Sequence, residues 1–511
     1  MKKIFVFFCL IFLFVNSSFS HINFEISEEK YKTWKKLLHY KKGKSLIEKG
    51  SDFFLNENGN TDPIKELEST LLFFKESPQN KCLYPARYYL LFNKKIGNEC
   101  VDFNEYNEYV PFDSVSLVLA SESETSPVSS MGHIFIVAEG FNKFDLLKRH
   151  SSGFVANAST NSSLLFQFLT DSIDGLYTLS PYNDTIYNYI NNENRSLWEL
   201  DLNMTSEEKY LLKMHLYELK SHQIKYSFFT YNCATGTNSV LSVVSDDFDY
   251  SNKMNIASPI EYAKNIFENS GRVTKITVRP SEIDQYRLNK GYNLNPLLSP
   301  KPSRFTIGYI FNSYQKNGIR LSFLPAISDF KEDIKSKNSL NESRLFETTA
   351  LIYGDAFLID RITLFNIKSF PNILIDKYKV NFGLSFHGEN MKRHTSLYPD
   401  FYVGSAISFF ETGLRPFIST DVGNNFTKYN SNPYIKILCG SFLQTNKYGR
   451  VYIAANKIFS KEKNTAEYIK RIDISYSKNL DNDIWISTDL SFGKDRKGNF
   501  KKIDANLSYR F

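Results

Sequence analysis

The end of the chain constrains its fold more than any other stretch. Ile503-Asp504-Ala505-Asn506-Leu507-Ser508-Tyr509-Arg510-Phe511 alternates apolar and polar residues without a break and closes on an aromatic residue. Successive side chains of a strand point to opposite faces, so this strand has one apolar and one polar face. The same alternation occurs upstream. Phe305, Ile307, Tyr309 and Phe311 share a face, as do Ile319, Leu321 and Phe323, and Ile484, Ile486, Leu490 and Phe492 alternate with Ser487, Asp489 and Ser491. About 12 such segments, each roughly 10 residues long, fit into about 210 residues, and that length suits a tilted transmembrane strand. A soluble β-sandwich alternates in the same way.

The start of the chain separates these two architectures. Lys2 and Lys3 precede an apolar run from Ile4 to Val15, followed by Asn16-Ser17-Ser18-Phe19-Ser20. This pattern predicts a secretory signal peptide removed after about Ser20. The run is about 12 residues, too short to span a membrane as a helix, and Cys9 would leave with it. No later stretch approaches 18 apolar residues. An export signal with a terminal aromatic strand predicts a transmembrane antiparallel β-barrel of about 12 strands. Such a barrel would sit among the lipids of the outer membrane of a Gram-negative bacterium, delivered by the barrel insertion machinery. The 15% aromatic content supplies Tyr and Phe for girdles at the membrane interfaces.

A net charge of +7 over 511 residues is modest, and no dense basic cluster is interleaved with aromatics, so no nucleic acid is expected. Histidines are scattered without ligand spacing, so no metal or cofactor is expected. Four cysteines remain after the signal: Cys82, Cys100, Cys233 and Cys439. Disulfides persist in exported proteins, and Cys82 and Cys100 are close in sequence and flank an expected helix, which makes them the expected bridge. Cys439 shares a strand face with Ile435 and Ile437 and should point to lipid. Cys233 is left unpaired.

The organisation predicted is a signal peptide at 1–20, a helical region at 21–110, a catalytic-type domain at 111–278, a linker at 279–302 and the barrel at 303–511. Tyr31, Trp34, Leu37 and Leu38 recur at helical spacing. Val115–Ala120 and Gly132–Val137 read as strands. Thr205-Ser206-Glu207-Glu208 is a capping box, and Ala234–Val244 reads as a helix. Pro280, Pro296, Pro300 and Pro302 mark the linker.

Two stretches carry the chemistry: Ser129-Ser130-Met131-Gly132-His133-Ile134-Phe135-Ile136 and Phe228-Phe229-Thr230-Tyr231-Asn232-Cys233-Ala234-Thr235-Gly236. A thiol nucleophile needs a base within hydrogen-bond reach. Cys233 stands at the expected start of a helix, where free backbone N–H groups and the helix dipole favour a thiolate and an oxyanion. His133 stands on a strand after a glycine, and a strand histidine beside a helix cysteine is how papain-like folds build a dyad. A lone cysteine is more often a small buried apolar residue, and that alternative stands beside the dyad.

Arg195-Ser196-Leu197-Trp198-Glu199-Leu200-Asp201-Leu202-Asn203-Met204-Thr205, with Glu207-Glu208, His215-Leu216-Tyr217-Glu218-Leu219 and Tyr231-Asn232-Cys233, resembles the Lnb-type N-terminal periplasmic domain family. Cys82-Leu83-Tyr84-Pro85-Ala86-Arg87-Tyr88 and Ser130-Met131-Gly132-His133 also fit it. The resemblance covers roughly residues 60 to 270 and is similar in motif order to permuted NlpC-like folds. It implies an α+β papain-like (permuted NlpC-like) periplasmic domain ahead of the barrel. It also implies acyl transfer through a thioester on phospholipid or lipoprotein substrates, with Cys233 as nucleophile and His133 as base. Asn232, Asn157 and His150 are the open candidates for an orienting or oxyanion role, and Arg195 and Glu199 are expected to form a buried ion pair. Family acyltransferases are anchored in the inner membrane, whereas this chain ends as an outer-membrane barrel. Two alternatives remain: a cysteine peptidase or amidase on peptidoglycan peptides, and a non-enzymatic pore or scaffold. Phe228 and Phe229 favour a lipid substrate.

Overall fold

The computed structural model describes residues 26–48, 51–122, 132–157, 173–227, 230–251, 258–291, 293–312, 317–333, 341–354, 356–373, 380–391, 394–409, 413–426, 431–445, 447–460, 470–481, 483–494 and 498–511. The expected signal peptide, Ser129–Met131 and the pair Phe228 and Phe229 lie outside the described residues.

Four helices open the chain: α1 (Glu28–Leu37), α2 (Pro63–Glu76), α3 (Pro85–Phe92) and α4 (Val101–Tyr109). Each of the first two begins where a capping side chain meets orphan N–H groups: Ser27 accepts from Lys30, and Asp62 accepts from Ile64 and Lys65. A disulfide joins Cys82 to Cys100 across a Cα–Cα distance of 5.1 Å. It ties the start of α3 to the start of α4.

An antiparallel seven-stranded sheet follows. Its strands are β1 (Ser114–Ala120), β2 (His133–Phe141), β3 (Leu147–Ala156), β4 (Ile173–Pro181), β5 (Leu197–Leu202), β6 (Ile224–Tyr226) and β7 (Val273–Arg279), in the spatial order β6-β4-β3-β2-β1-β5-β7. Helix α5 (Tyr182–Tyr187) follows β4, and α6 (Ser206–Leu219) opens on the capping box of Thr205 and Glu208. Helix α7 (Cys233–Val244) lies on the sheet, and α8 (Pro259–Asn269) precedes β7. The N-terminal helices share one core with this sheet: Trp34, Leu38, Phe53 and Leu67 pack in the same cluster as Leu117, Ile134, Leu200 and Leu241. A buried polar joint reinforces it. Arg87 on α3 binds Glu66 on α2 at 2.9 Å, while Glu218 on α6 accepts the N–H groups of Ala86 and Arg87. The proline-rich stretch read as a linker carries a two-turn helix, α9 (Glu282–Asn289). Ser281 caps it by accepting from Asp284, a local side-chain bond that outweighs the weak periodicity.

Twelve long strands form the C-terminal half: β8 (Arg304–Asn312), β9 (Gly318–Leu324), β10 (Asn341–Tyr353), β11 (Ala356–Ser369), β12 (Val380–Met391), β13 (His394–Ser408), β14 (Leu414–Phe426), β15 (Ser431–Thr445), β16 (Gly449–Ser460), β17 (Lys470–Asp481), β18 (Ile484–Lys494) and β19 (Asn499–Arg510), with a three-residue strand, Ala326–Ser328, paired to the start of β10. Each pairs antiparallel with its neighbours in sequence, and β8 pairs with β19, Arg304 opposite Arg510, so the sheet closes on itself. Closure removes both edges.

Burial in this barrel runs opposite to that of a soluble one. Phe305, Ile307, Tyr309 and Phe311 are exposed, as are Ile503, Leu507 and Tyr509, while Arg304, Asp504, Ser508 and Arg510 are buried in the lumen. A sandwich in water would bury the first set, so the outer surface is built to face hydrocarbon. Cys439 is exposed on this surface with Ile435 and Ile437. Among the described residues no helix is long and apolar enough to cross a membrane; the crossing is made by strands.

Candidate active site

Strand β2 begins at His133 because the residue before it can take a left-handed turn. Gly132 has φ +86°, and a Cβ there would lie 3.0 Å from the Ala120 carbonyl oxygen. The glycine lets the chain enter β2 directly against the end of β1, with His133 opposite Ala120. Helix α7 is set close to the sheet by a second glycine: a Cβ on Gly236 would meet Phe154 of β3 at 2.6 Å. Thr237 also donates to the Ile134 carbonyl at 3.4 Å.

Cys233 is the first residue of α7 and is buried. Asn232 caps the helix: its side-chain oxygen accepts from Ala234 at 2.9 Å and Thr235 at 3.3 Å, and its own N–H donates to Thr235 Oγ1 at 2.7 Å. The helix start therefore delivers backbone N–H groups to the sulfur. Burial pushes the thiol up to about 11, against the N–H of Ile134, the charge of Arg195 and the N–H groups of Ala234 and Cys233 itself, all of which favour the thiolate. Ile134 immediately follows His133, so the sulfur rests against the β2 backbone at the residue after His133. The hydroxyl of Tyr226 sits at the Cys233 N–H.

His133 is half-buried. Burial and then the charge of Arg195 hold its imidazole down at about 3. Both members of the pair are thus neutral between these values. The His133 ring stacks on Tyr189 with centroids 6.1 Å apart, and the Arg195 guanidinium lies 4.9 Å from the centre of the same Tyr189 ring. Arg195 also donates to the carbonyls of Ser121 at 2.6 Å and Ala120 at 3.3 Å, and so clamps the backbone directly opposite His133.

The expected pairing of Arg195 with Glu199 does not form. Arg195 binds Glu193 at 2.9 Å, whereas Glu199 accepts from Tyr182 at 2.6 Å and Arg149 at 3.2 Å, and from Arg279. The two residues lead into and lie on extended β5, where four residues span about 13 Å; only a helix would bring them together. His150 is also remote from the pair. It lies opposite Ala138, five residues along β2 from His133 or about 16 Å, and packs on the Tyr109 ring at 4.6 Å. Asn157 reaches the His133 end of the sheet but is exposed, with its N–H on the Asp174 carbonyl at 2.6 Å.

Sequence reasoning missed Tyr189, the Arg195 clamp and a buried chain beneath α7. There His39 Nε2 meets His215 Nε2 at 3.2 Å, His39 Nδ1 meets the Tyr231 hydroxyl at 3.1 Å, and Tyr177 donates to the Gly236 carbonyl at 2.9 Å. His215 and Tyr231 both belonged to the quoted motifs, but nothing local marks which side chains they meet. Among the described residues no group of three metal-ligating side chains gathers.

One row across the sheet orients the site. His133 lies opposite Ala120, Ala120 opposite Leu197, and Leu197 opposite Arg279, the last residue of β7. The chain leaves for the barrel from the sheet end that holds Cys233 and His133. Along that segment Leu297 is buried in the domain core, and Lys264 of α8 donates to the Ser299 carbonyl at 3.2 Å.

The class these features define is an outer-membrane β-barrel protein with an α/β domain in the periplasm. Comparison with known families agrees. Residues 102–269 match the Lnb N-terminal periplasmic domain, and residues 26–94 match a domain of unknown function, DUF7843. No curated protein matches the chain. Among solved structures the chain is similar to the NanC porin (11% identity, 40% of this chain and 100% of that one, TM-score 0.28). It is also similar to outer membrane phospholipase A from Escherichia coli (10% identity, 41% and 93%, TM-score 0.26). A third is a loop-deletion mutant of OmpT, an outer membrane protein of Vibrio cholerae (5% identity, 40% and 97%, TM-score 0.24). TM-scores this low carry no functional inference.

Proposed function

We propose that this outer-membrane protein is a thiol acyltransferase or hydrolase, with a papain-like cleft at about residues 111–278 working on lipid or lipoprotein acyl groups. The observation that carries the reading is the Cys233 sulfur at a helix start, held by the Ile134 N–H beside His133, at the sheet end from which the chain runs to the membrane.

In the proposed reaction the His133 imidazole takes the Cys233 proton as the sulfur attacks the carbonyl carbon of a phospholipid ester. The developing oxyanion is met by backbone N–H groups at the start of α7. The carbon–oxygen bond breaks, and His133 returns the proton to the leaving glycerol oxygen, which gives a Cys233 thioester and a lysophospholipid. An amine or water then attacks the thioester carbon; the carbon–sulfur bond breaks and His133 carries the attacking group's proton to the sulfur. Because thiol and imidazole are both neutral at rest, the thiolate forms only as the acyl group is attacked. Arg195 is a positioning residue: it fixes the backbone opposite His133 and places a positive charge that favours the thiolate. The barrel raises the effective concentration of membrane acyl donors by holding the cleft beside them.

The test is labelling of detergent-solubilised protein with an alkyl β-lactone, which acylates activated thiols. A single adduct on Cys233 is expected, absent in Cys233→Ala and formed at least about tenfold more slowly in His133→Ala, as loss of a general base implies. Labelling only after denaturation, or labelling indifferent to His133, would leave Cys233 as a structural thiol.

A further inference from the structure

A barrel of 12 strands encloses more space than its own inward side chains need, since about eight strands already suffice to be filled by them. Something must fill the extra width or a channel results. Here the chain between β9 and β10 turns inward. Residues 329–333, Asp-Phe-Lys-Glu-Asp, enter the lumen at the rim from which β8 starts and at which β19 ends, because Leu324 at the end of β9 lies opposite Arg304.

The contacts of these five residues reach across the barrel. Asp329 is bound by Arg344 of β10 at 3.0 Å and Arg304 of β8 at 3.4 Å. Glu332 is bound by Arg304 and by Arg510 of β19. Phe330 crosses toward the far wall: its ring lies 5.3 Å from Phe442 of β15, 5.9 Å from Tyr452 of β16 and 5.2 Å from Phe370 just past β11. Its carbonyl accepts from Arg450 of β16 at 2.6 Å. Asp333 accepts from Gln444 of β15 at 2.8 Å, and the Trp485 indole of β18 donates to its carbonyl at 3.1 Å. Asp329, Phe330, Glu332 and Asp333 are all buried. This is the only aromatic cluster of the lumen among the described residues, so a dry plug sits at one end of an otherwise charged interior. Beyond it the lumen is not solid. Two cavities of about 390 and 320 Å³, both lined by Lys331, Arg344 and Glu347, lie against the plug.

We infer that residues 329–333 are a built-in stopper that closes the barrel at its periplasmic rim, so that the barrel is a sealed anchor and not a conduit. The inference is independent of the thiol chemistry. Three buried arginines, Arg304, Arg450 and Arg510, hold the stopper from opposite walls, and the Phe330 ring supplies the water-excluding part.

The test is single-channel recording of the full chain in planar lipid bilayers. It is run beside a Phe330→Ala/Glu332→Ala/Asp333→Ala variant whose barrel is confirmed by heat-modifiable migration. A silent wild type and a variant with discrete conductance steps are expected. Steady conductance from the wild type, or a folded variant as silent as the wild type, overturns the inference. Should the triple variant not fold, Phe330→Ala alone, which keeps every ion pair, is recorded in its place and judged by the same two outcomes.

Discussion

His39 and His215 face each other nitrogen to nitrogen at 3.2 Å, deep in the joint between α6 and the N-terminal helices. One must donate and the other accept, so the accepting ring must be neutral, and burial disfavours a charge on either. Burial holds His39 down at about 3, and burial, the His39 ring and Arg87 hold His215 well below its ordinary value. In the unfolded chain both take up a proton as pH falls through about 6.5, while the folded protein does not. Stability from these groups is therefore complete above that pH and is lost as pH falls toward 3. The loss is roughly 1.4 kcal/mol per pH unit for each histidine. The thermal midpoint of the periplasmic domain should drop between pH 7 and pH 5, and His39→Gln, which cannot titrate, should flatten the slope; equal slopes would contradict the account. Cys233 gives a second prediction of known sign. With its thiol pushed up to about 11, the thiolate fraction, and with it the rate of simple alkylation by iodoacetamide in the absence of lipid, should rise about tenfold per pH unit from 7 to 10. A plateau near neutrality would mean a resting ion pair instead.

At the scale of elements, α7 is the part on which the site depends. Asn232 serves two orphan N–H groups at its start, so Asn232→Ala should cost about 1 kcal/mol of stability. It should also slow β-lactone acylation of Cys233, because the Ala234 N–H that it holds also lies at the sulfur. Unchanged acylation would separate the cap from the chemistry. The disulfide is a second local device. Breaking its 18-residue separation with Cys82→Ser should lower stability by about 3 kcal/mol, read by denaturant titration. Element boundaries were legible where a local signal exists: the capping box at Thr205, Gly132 before β2, and the apolar run of β1. Strands β3, β4 and β5 were not, since their residues alternate weakly and the motif around Trp198 reads as a signature before it reads as a strand. The Arg195–Glu199 pairing failed for that reason: its geometry depends on whether the segment is helical or extended. Tyr189 was illegible because its place is set by the His133 and Phe135 rings of β2, distant in sequence, together with the Arg195 guanidinium over its own ring.

The barrel was the most legible part of the whole molecule, since the two-residue period needs no tertiary information and the count of about 12 strands agrees with closure through β8 and β19. The stopper was not, because Asp-Phe-Lys-Glu-Asp reads as an ordinary polar turn until the rim arginines are in place. Periplasmic domain and barrel have separate cores, one centred on Leu117 and Ile134 and the other on Phe330 and Phe442. A truncated chain ending near Ser299, which keeps the buried Leu297, should fold alone and keep β-lactone labelling of Cys233. It should act on vesicle phospholipid far more slowly than the full chain, because the barrel no longer holds it at the lipid surface.

The central claim, that Cys233 takes an acyl group from membrane lipid with His133 as its base, is tested most directly by intact-mass analysis. The full protein would be incubated with phospholipid vesicles of one defined acyl chain. The account predicts a mass increase of one acyl group located on Cys233, released by neutral hydroxylamine as a thioester is, and absent in Cys233→Ala and His133→Ala. An unchanged mass in protein that binds the vesicles and whose barrel is folded would contradict it.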